Sequence, residues 1–173
     1  MVEAAEPALA GRVTCEEVPH RTLNYVLRPL ALLGRHDEAD AHQKKGYRLI
    51  RGNPSFLRYV ALQIAYLTHR ERHRTAVNMF QRHLAWALAT FELRSQYMFD
   101  LAAIRLLGQL ADRRPTAKLN LPQAFPLFDP SGQYELAPLI GWFKDRSRAL
   151  AERFDARNGN DFFSREMVER LAY

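Results

Sequence analysis

This chain of 173 residues has one cysteine, Cys15, and only four lysines, Lys44, Lys45, Lys118 and Lys144. A lone cysteine excludes an internal disulfide framework and a paired-Cys zinc site, and beside Glu16 and Glu17 it is a poor thiolate. No run of 18 or more apolar residues occurs, so no segment reads as a membrane-spanning helix. Glycine is sparse, and no Gly-rich phosphate loop or nucleophile elbow is present. The opening stretch MVEAAEPALAGRVTCEEVPH has early acids and no apolar h-region, so it does not read as a secretory signal. A cytoplasmic protein is the resulting expectation. These absences leave no metal, cofactor or catalytic constellation to assign.

The chain has enough length for one domain with a real core, and its 47% hydrophobic and 25% charged residues are those of a globular protein. The net charge is +6, nearly all of it from arginine. Those arginines are scattered among acids rather than gathered in one block, which makes the charge a weak pointer to anionic partners.

The first 15 residues, rich in Ala, Glu and Pro, read as a loose lead-in to a single helical domain over 16–173. Leu23, Val26, Leu27, Leu30 and Leu33 recur at helical spacing. Pro29 cannot donate to the Tyr25 carbonyl, which predicts a kink. Gly34 is placed to close this helix and Asp37 to cap the next, over about 37–51. Asn53 and Pro54 start a third helix with Phe56, Leu57, Val60, Ile64 and Leu67. After a break at THRER, a fourth helix carries Ala76, Met79, Phe80, Leu84, Leu88 and Phe91, and a fifth covers about 95–112. The segment 113–134 holds four prolines and a DPSG turn, so no helix runs through it. Its Leu119, Leu121, Phe125, Leu127 and Phe128 predict an ordered strap packed on the helices. A sixth helix over about 135–156 and a short seventh, capped by Ser164, complete the pattern.

Helix stops recur at Gly34, at LTHR and at Gly108, with a pitch of about 35 to 39 residues, the sign of stacked helical hairpins. The stretch GRHDEA resembles the turn of the tetratricopeptide repeat, with Leu23, Val26 and Leu30 in its first helix and Ala39, Gly46 and Leu49 in its second. Leu27 stands where that family has a small residue. The segments LGRHDEADAHQKKGYRLIRGN and LAERFDARNGNDFFSR also resemble the C-terminal part of actinobacterial tetratricopeptide proteins whose biochemical role is not assigned. The resemblance implies an all-α, short irregular α-solenoid of about seven helices in a bacterial cytosol, with no catalytic residue. It is compatible with the chain being one part of a longer protein.

In that family the first helices of the repeats line a concave surface that binds extended peptides. Carried over, the partner-binding positions are Arg21, Asn24 and Arg28, with Arg58 from the next unit. Arginine forks and an Asn amide suit a carboxylate or acidic peptide. The expected function is therefore a non-catalytic protein–protein interaction module with a protein or acidic-peptide partner. The alternative is a nucleic-acid-binding or regulatory helical domain. For that reading the densest basic zone is Arg70, Arg72, Arg74 and Arg82 with His69, His73 and His83, near Tyr66, Phe80 and Trp86. Those aromatics fall on the apolar helical stripe, so packing explains them better. HRERH puts two histidines four apart, but across an expected turn and without the hydrolase pattern. FDARNGN reads as a helix end, with Phe154 an anchor and Gly159 the C-cap.

Overall fold

A computed structural model of the chain describes residues 2–13 and 18–172; Cys15 lies outside them. Among the described residues the fold is helical, with nine α-helices and one two-stranded sheet. The helices are α1 (Val2–Leu9), α2 (Val18–Tyr25), α3 (Leu27–Leu32), α4 (His36–Ile50), α5 (Leu57–His69), α6 (His73–Ala89), α7 (Leu93–Ala111), α8 (Leu136–Asn158) and α9 (Phe162–Ala172). Strands β1 (Thr116–Lys118) and β2 (Gln133–Glu135) lie between α7 and α8.

Helix α7 is apolar nearly all round and sits at the centre, packed on α5, α6, α8 and α9. Its Tyr97, Phe99, Ala103, Leu106 and Leu107 are fully buried. Each earlier pair packs on itself, α2 and α3 on α4 and α5 on α6, while α5 also lies against α2, α3 and α7. Ala39 of α4, which packs on α2 and α3, is 0% exposed. At Gly46 an added Cβ would come within 3.2 Å of Gln63 Nε2 and 3.3 Å of Leu23 Cβ, so these helices need small residues to approach.

The helix stops have a local cause. Gly34 has φ 71°, and Arg35 N donates to Leu30 O at 2.9 Å while Gly34 N donates to Ala31 O at 3.1 Å. This paired closure satisfies two carbonyls that a helix end leaves open. The same closure recurs after α5: Arg72 N donates to Leu67 O and Glu71 N to Thr68 O, with Glu71 at φ 54°. Asn53 accepts from Ser55 N at 2.9 Å and starts the turn Pro54–Phe56 that leads into α5, as its cap chemistry predicts.

Several expectations are corrected. Residues 2–9 are not a loose lead-in but form α1, with Val2 buried and Ala5 and Leu9 packed on the core. The Pro29 kink takes the form of a break at Val26 that separates α2 from α3. Asp37 does not cap α4; it lies in the first turn, after Arg35 at the cap position. Gly108 lies inside α7 rather than at a turn, so the third unit does not follow the pitch of the first two. Phe91 lies beyond the end of α6 and is 99% exposed. Ser164 does not cap α9; Asp155 of α8 does, accepting from Phe163 N at 2.8 Å and Ser164 N at 2.9 Å.

The segment 113–134 is ordered. Thr116 pairs with Glu135 and Lys118 with Gln133 in antiparallel register. Leu119, Leu121 and Phe125 are buried, whereas Leu127 is exposed and Phe128 half-buried. Phe125 packs edge-on to Trp142 at 4.8 Å and stacks on Phe143 at 5.9 Å, and Asn120 N donates to Gln81 of α6. The strap therefore lies over α6 and α8.

Candidate functional site

The faces of α2, α3, α5 and α7 that lie side by side leave a narrow groove of about 50 Å³. Ala61, Ala65 and Ala102 form its floor, and Leu27, Leu62, Met98 and Leu101 its apolar walls. Small residues at these helical positions leave room that larger ones would fill. Asn24, Tyr25, Tyr66 and the arginines Arg28, Arg105 and Arg170 complete the lining, which includes no carboxylate. A depression lined by Arg28, Phe162, Arg165, Glu166, Glu169 and Arg170 is contiguous with one end.

Arg28, from the predicted set, lines the groove and is exposed. Asn24 lies at its edge, but the side chain is buried: Nδ2 donates to His20 O at 2.6 Å, and Oδ1 accepts from Gln63 Nε2 at 2.6 Å. Gln43 Nε2 in turn donates to Gln63 Oε1 at 2.7 Å. This buried amide chain joins α2, α4 and α5, which makes Asn24 a brace more than a contact residue. Arg58 is half-buried and faces the Tyr25 hydroxyl at 3.5 Å, behind the groove wall. Arg21 is exposed and outside the lining. The structure thus brings Arg28 and Asn24 to one site and leaves Arg21 and Arg58 off it.

Arg105 and Arg170 lie outside the set that the sequence singles out. Arg105 interrupts the otherwise apolar run LAAIRLLG of α7, and a charged residue inside such a run is a usable signal. Arg170 arrives only because α9 folds back on α7. That placement rests on long-range contacts: Tyr97 Oη donates to Phe163 O at 2.7 Å and Arg94 pairs with Glu166 at 2.6 Å; within α9, Arg170 Nε also reaches Glu166 Oε1 at 2.9 Å. Burial pushes the Glu166 carboxyl up, but these two arginines together outweigh it and hold it below the usual range.

The other buried ionisable groups are held by structural partners. Asp40 accepts from Tyr66 Oη at 2.6 Å and pairs with Arg72, clamping α4 to α5 and the turn after it. Asp100 of α7 is fully buried and takes both hydrogen bonds of Arg146, whose guanidinium lies 4.3 Å over Trp142. Burial pushes that carboxyl up while Arg146 pulls it down. His83 is buried against Trp86, and its Nε2 lies 3.0 Å from Tyr47 Oη; burial and the neighbouring Arg82 lower its pKa to about 4.

The dense basic zone splits apart. Arg72 is paired, Tyr66 and Phe80 are core, and Arg74 and Arg82 face solvent. His69 ends α5 and His73 begins α6, where it contacts Gln109 Oε1 at 2.8 Å. Among the described residues no group of three or more His, Cys, Asp or Glu is placed to hold a metal ion. No described helix is long and apolar enough to cross a membrane. Phe154 is buried, Gly159 takes φ 66° at the C-cap of α8, and Asp155 caps α9, so FDARNGN has a structural role throughout. No protein-family model, curated protein or solved structure matches this chain.

Proposed function

We propose that the chain is a non-catalytic interaction module of the tetratricopeptide-like, short-solenoid kind, acting in a bacterial cytoplasm. It takes a short extended segment of a protein partner in the groove of α2, α3, α5 and α7. The observation that carries this reading is the lining: small and apolar residues beside Arg28 and Arg105 with no carboxylate among the lining residues, while Arg170, also in the lining, is paired with Glu166. Such a surface suits one inserted apolar side chain flanked by acidic ones, since arginine binds carboxylates with directional hydrogen bonds. The side-by-side packing of the first helices of successive pairs supports the repeat arrangement. The strap packs over α6 and α8 and leaves this groove uncovered; α9 borders it through Arg170.

Selection of random peptides displayed on phage against the purified protein tests the reading. Enrichment of sequences with Leu, Met or Phe next to Asp or Glu supports it. Selection that yields basic peptides, or no enrichment over an unrelated helical protein, contradicts it.

A further inference from the structure

On the opposite side of the helix pairs, α4 and α6 flank an open groove of about 440 Å³. Lys44 and Arg48 of α4 and Arg82 of α6 line it, and Thr75 and Asn78 add uncharged hydrogen-bonding groups. Lys45, Arg51 and Arg74 extend the same two helices and are exposed. Helix α6 has no acidic residue, and α4 has none after Asp40.

Eight arginines off this groove are held in ion pairs. Arg35, Arg72, Arg94, Arg113, Arg146, Arg148, Arg165 and Arg170 each reach a carboxylate. None of the ion pairs among the described residues involves a cation of the α4/α6 face. A groove lined by three cations, on two helices with no acid along that stretch, has a surface complementary to a polyanion.

The geometry points to the phosphodiester backbone of a nucleic-acid duplex as the partner of this face, bound without regard to sequence; we propose this independently of the peptide groove. Arg, Lys, Thr and Asn are the side chains that contact phosphate oxygens. Single-strand binding would need exposed rings on which bases stack. The exposed aromatics Tyr25, Phe91 and Phe162 do not line this groove; Tyr47 does, but it is half-buried with its hydroxyl 3.0 Å from His83 Nε2, and Trp86 is half-buried against the same imidazole. Phosphate contact alone accounts for what the face offers.

The test is fluorescence anisotropy with a mixed-sequence DNA duplex across a salt series. The wild-type protein should bind at about 50 mM salt and weaken steeply toward about 200 mM. Combining Lys44→Glu, Arg48→Glu and Arg82→Glu should lower affinity at least tenfold, by analogy with lost phosphate contacts, and reduce the salt slope by about 2.7. The neutral set Lys44→Gln, Arg48→Gln and Arg82→Gln should follow the same direction, with circular dichroism checking the fold of both. Arg153→Glu, an exposed charge reversal on α8, should change affinity less than twofold. Absence of duplex binding at low salt overturns the proposal, as does wild-type affinity in a folded triple variant. Equal competition by polyglutamate also overturns it, because the face would then be a docking surface for acidic protein.

Discussion

Gln63 Nε2 donates to Asn24 Oδ1 at 2.6 Å, inside the core, while Gln63 Oε1 accepts from Gln43 at 2.7 Å. One side chain thereby joins the first helix pair to the second. Gln63→Leu would leave the Asn24 oxygen and the Gln43 amide buried without that partner. Each orphaned group costs about 1 to 3 kcal/mol, so a loss of roughly 2 to 6 kcal/mol is expected for the two. Urea unfolding measures it; a change below about 0.5 kcal/mol, the scatter of ordinary surface substitutions, would contradict the brace.

Ala39 is 0% exposed where α4 meets the preceding helices. Ala39→Arg overpacks that crossing and buries a charge without a partner. The expected destabilisation is several kcal/mol, roughly 3 or more, and a large fall in Tm. A variant melting within a degree or so of wild type would remove the basis for the helix pairing.

Glu71 occupies the left-handed conformation that Gly34 occupies in the first turn. That conformation is unfavourable for a residue with a Cβ, and the exposed Arg113 contact at 3.3 Å returns little. Glu71→Gly is expected to stabilise the fold by up to about 1 kcal/mol, after allowing for glycine's greater freedom when unfolded. A measured loss of stability would mean that the Glu71 side chain holds more than it does in this structure.

His83 titrates at about 4 in the folded protein because of its burial, against an ordinary value of 6.5. Between those values the unfolded chain binds a proton that the folded chain refuses. The His83 contribution to stability is therefore lost as pH drops from 6.5 to 4, while Asp100, raised by burial to about 6, works in the opposite direction between about 6 and 3.8. His42, also lowered by burial, acts in the same direction as His83. In thermal melts across this window the wild type should lose stability on acidification relative to His83→Gln, which keeps the Asp100 contribution and lacks the imidazole. An unchanged slope in that variant would move the effect to another group.

Much of the helical layout is legible in the sequence. Apolar spacing marks α2 through α8, Gly34 marks a stop, and Asn53 with Pro54 marks a start, because these signals are local. What escapes is either non-local or without a residue signature. Asp155 caps α9 from the preceding helix, the Asn24, Gln63 and Gln43 amides meet across three helices, and Arg170 reaches the groove through α9. Glu71 in a left-handed turn looks like any exposed acid, while Gly108 looks like a stop and is not one. Of the four candidate residues, Arg28 and Asn24 line the groove, and Arg21 and Arg58 lie outside the lining.

The central claim is that the groove of α2, α3, α5 and α7 takes an acidic peptide carrying an apolar side chain. Ala65, half-buried on the groove floor, allows it to be closed without touching an arginine. The decisive measurement is calorimetric titration of a phage-selected peptide into the wild-type protein and into Ala65→Trp, with circular dichroism checking that the variant is folded. The account predicts at least a tenfold loss of affinity, about 1.4 kcal/mol or more, in the folded variant. Unchanged affinity in a folded Ala65→Trp protein would show that the peptide binds elsewhere and would contradict the account.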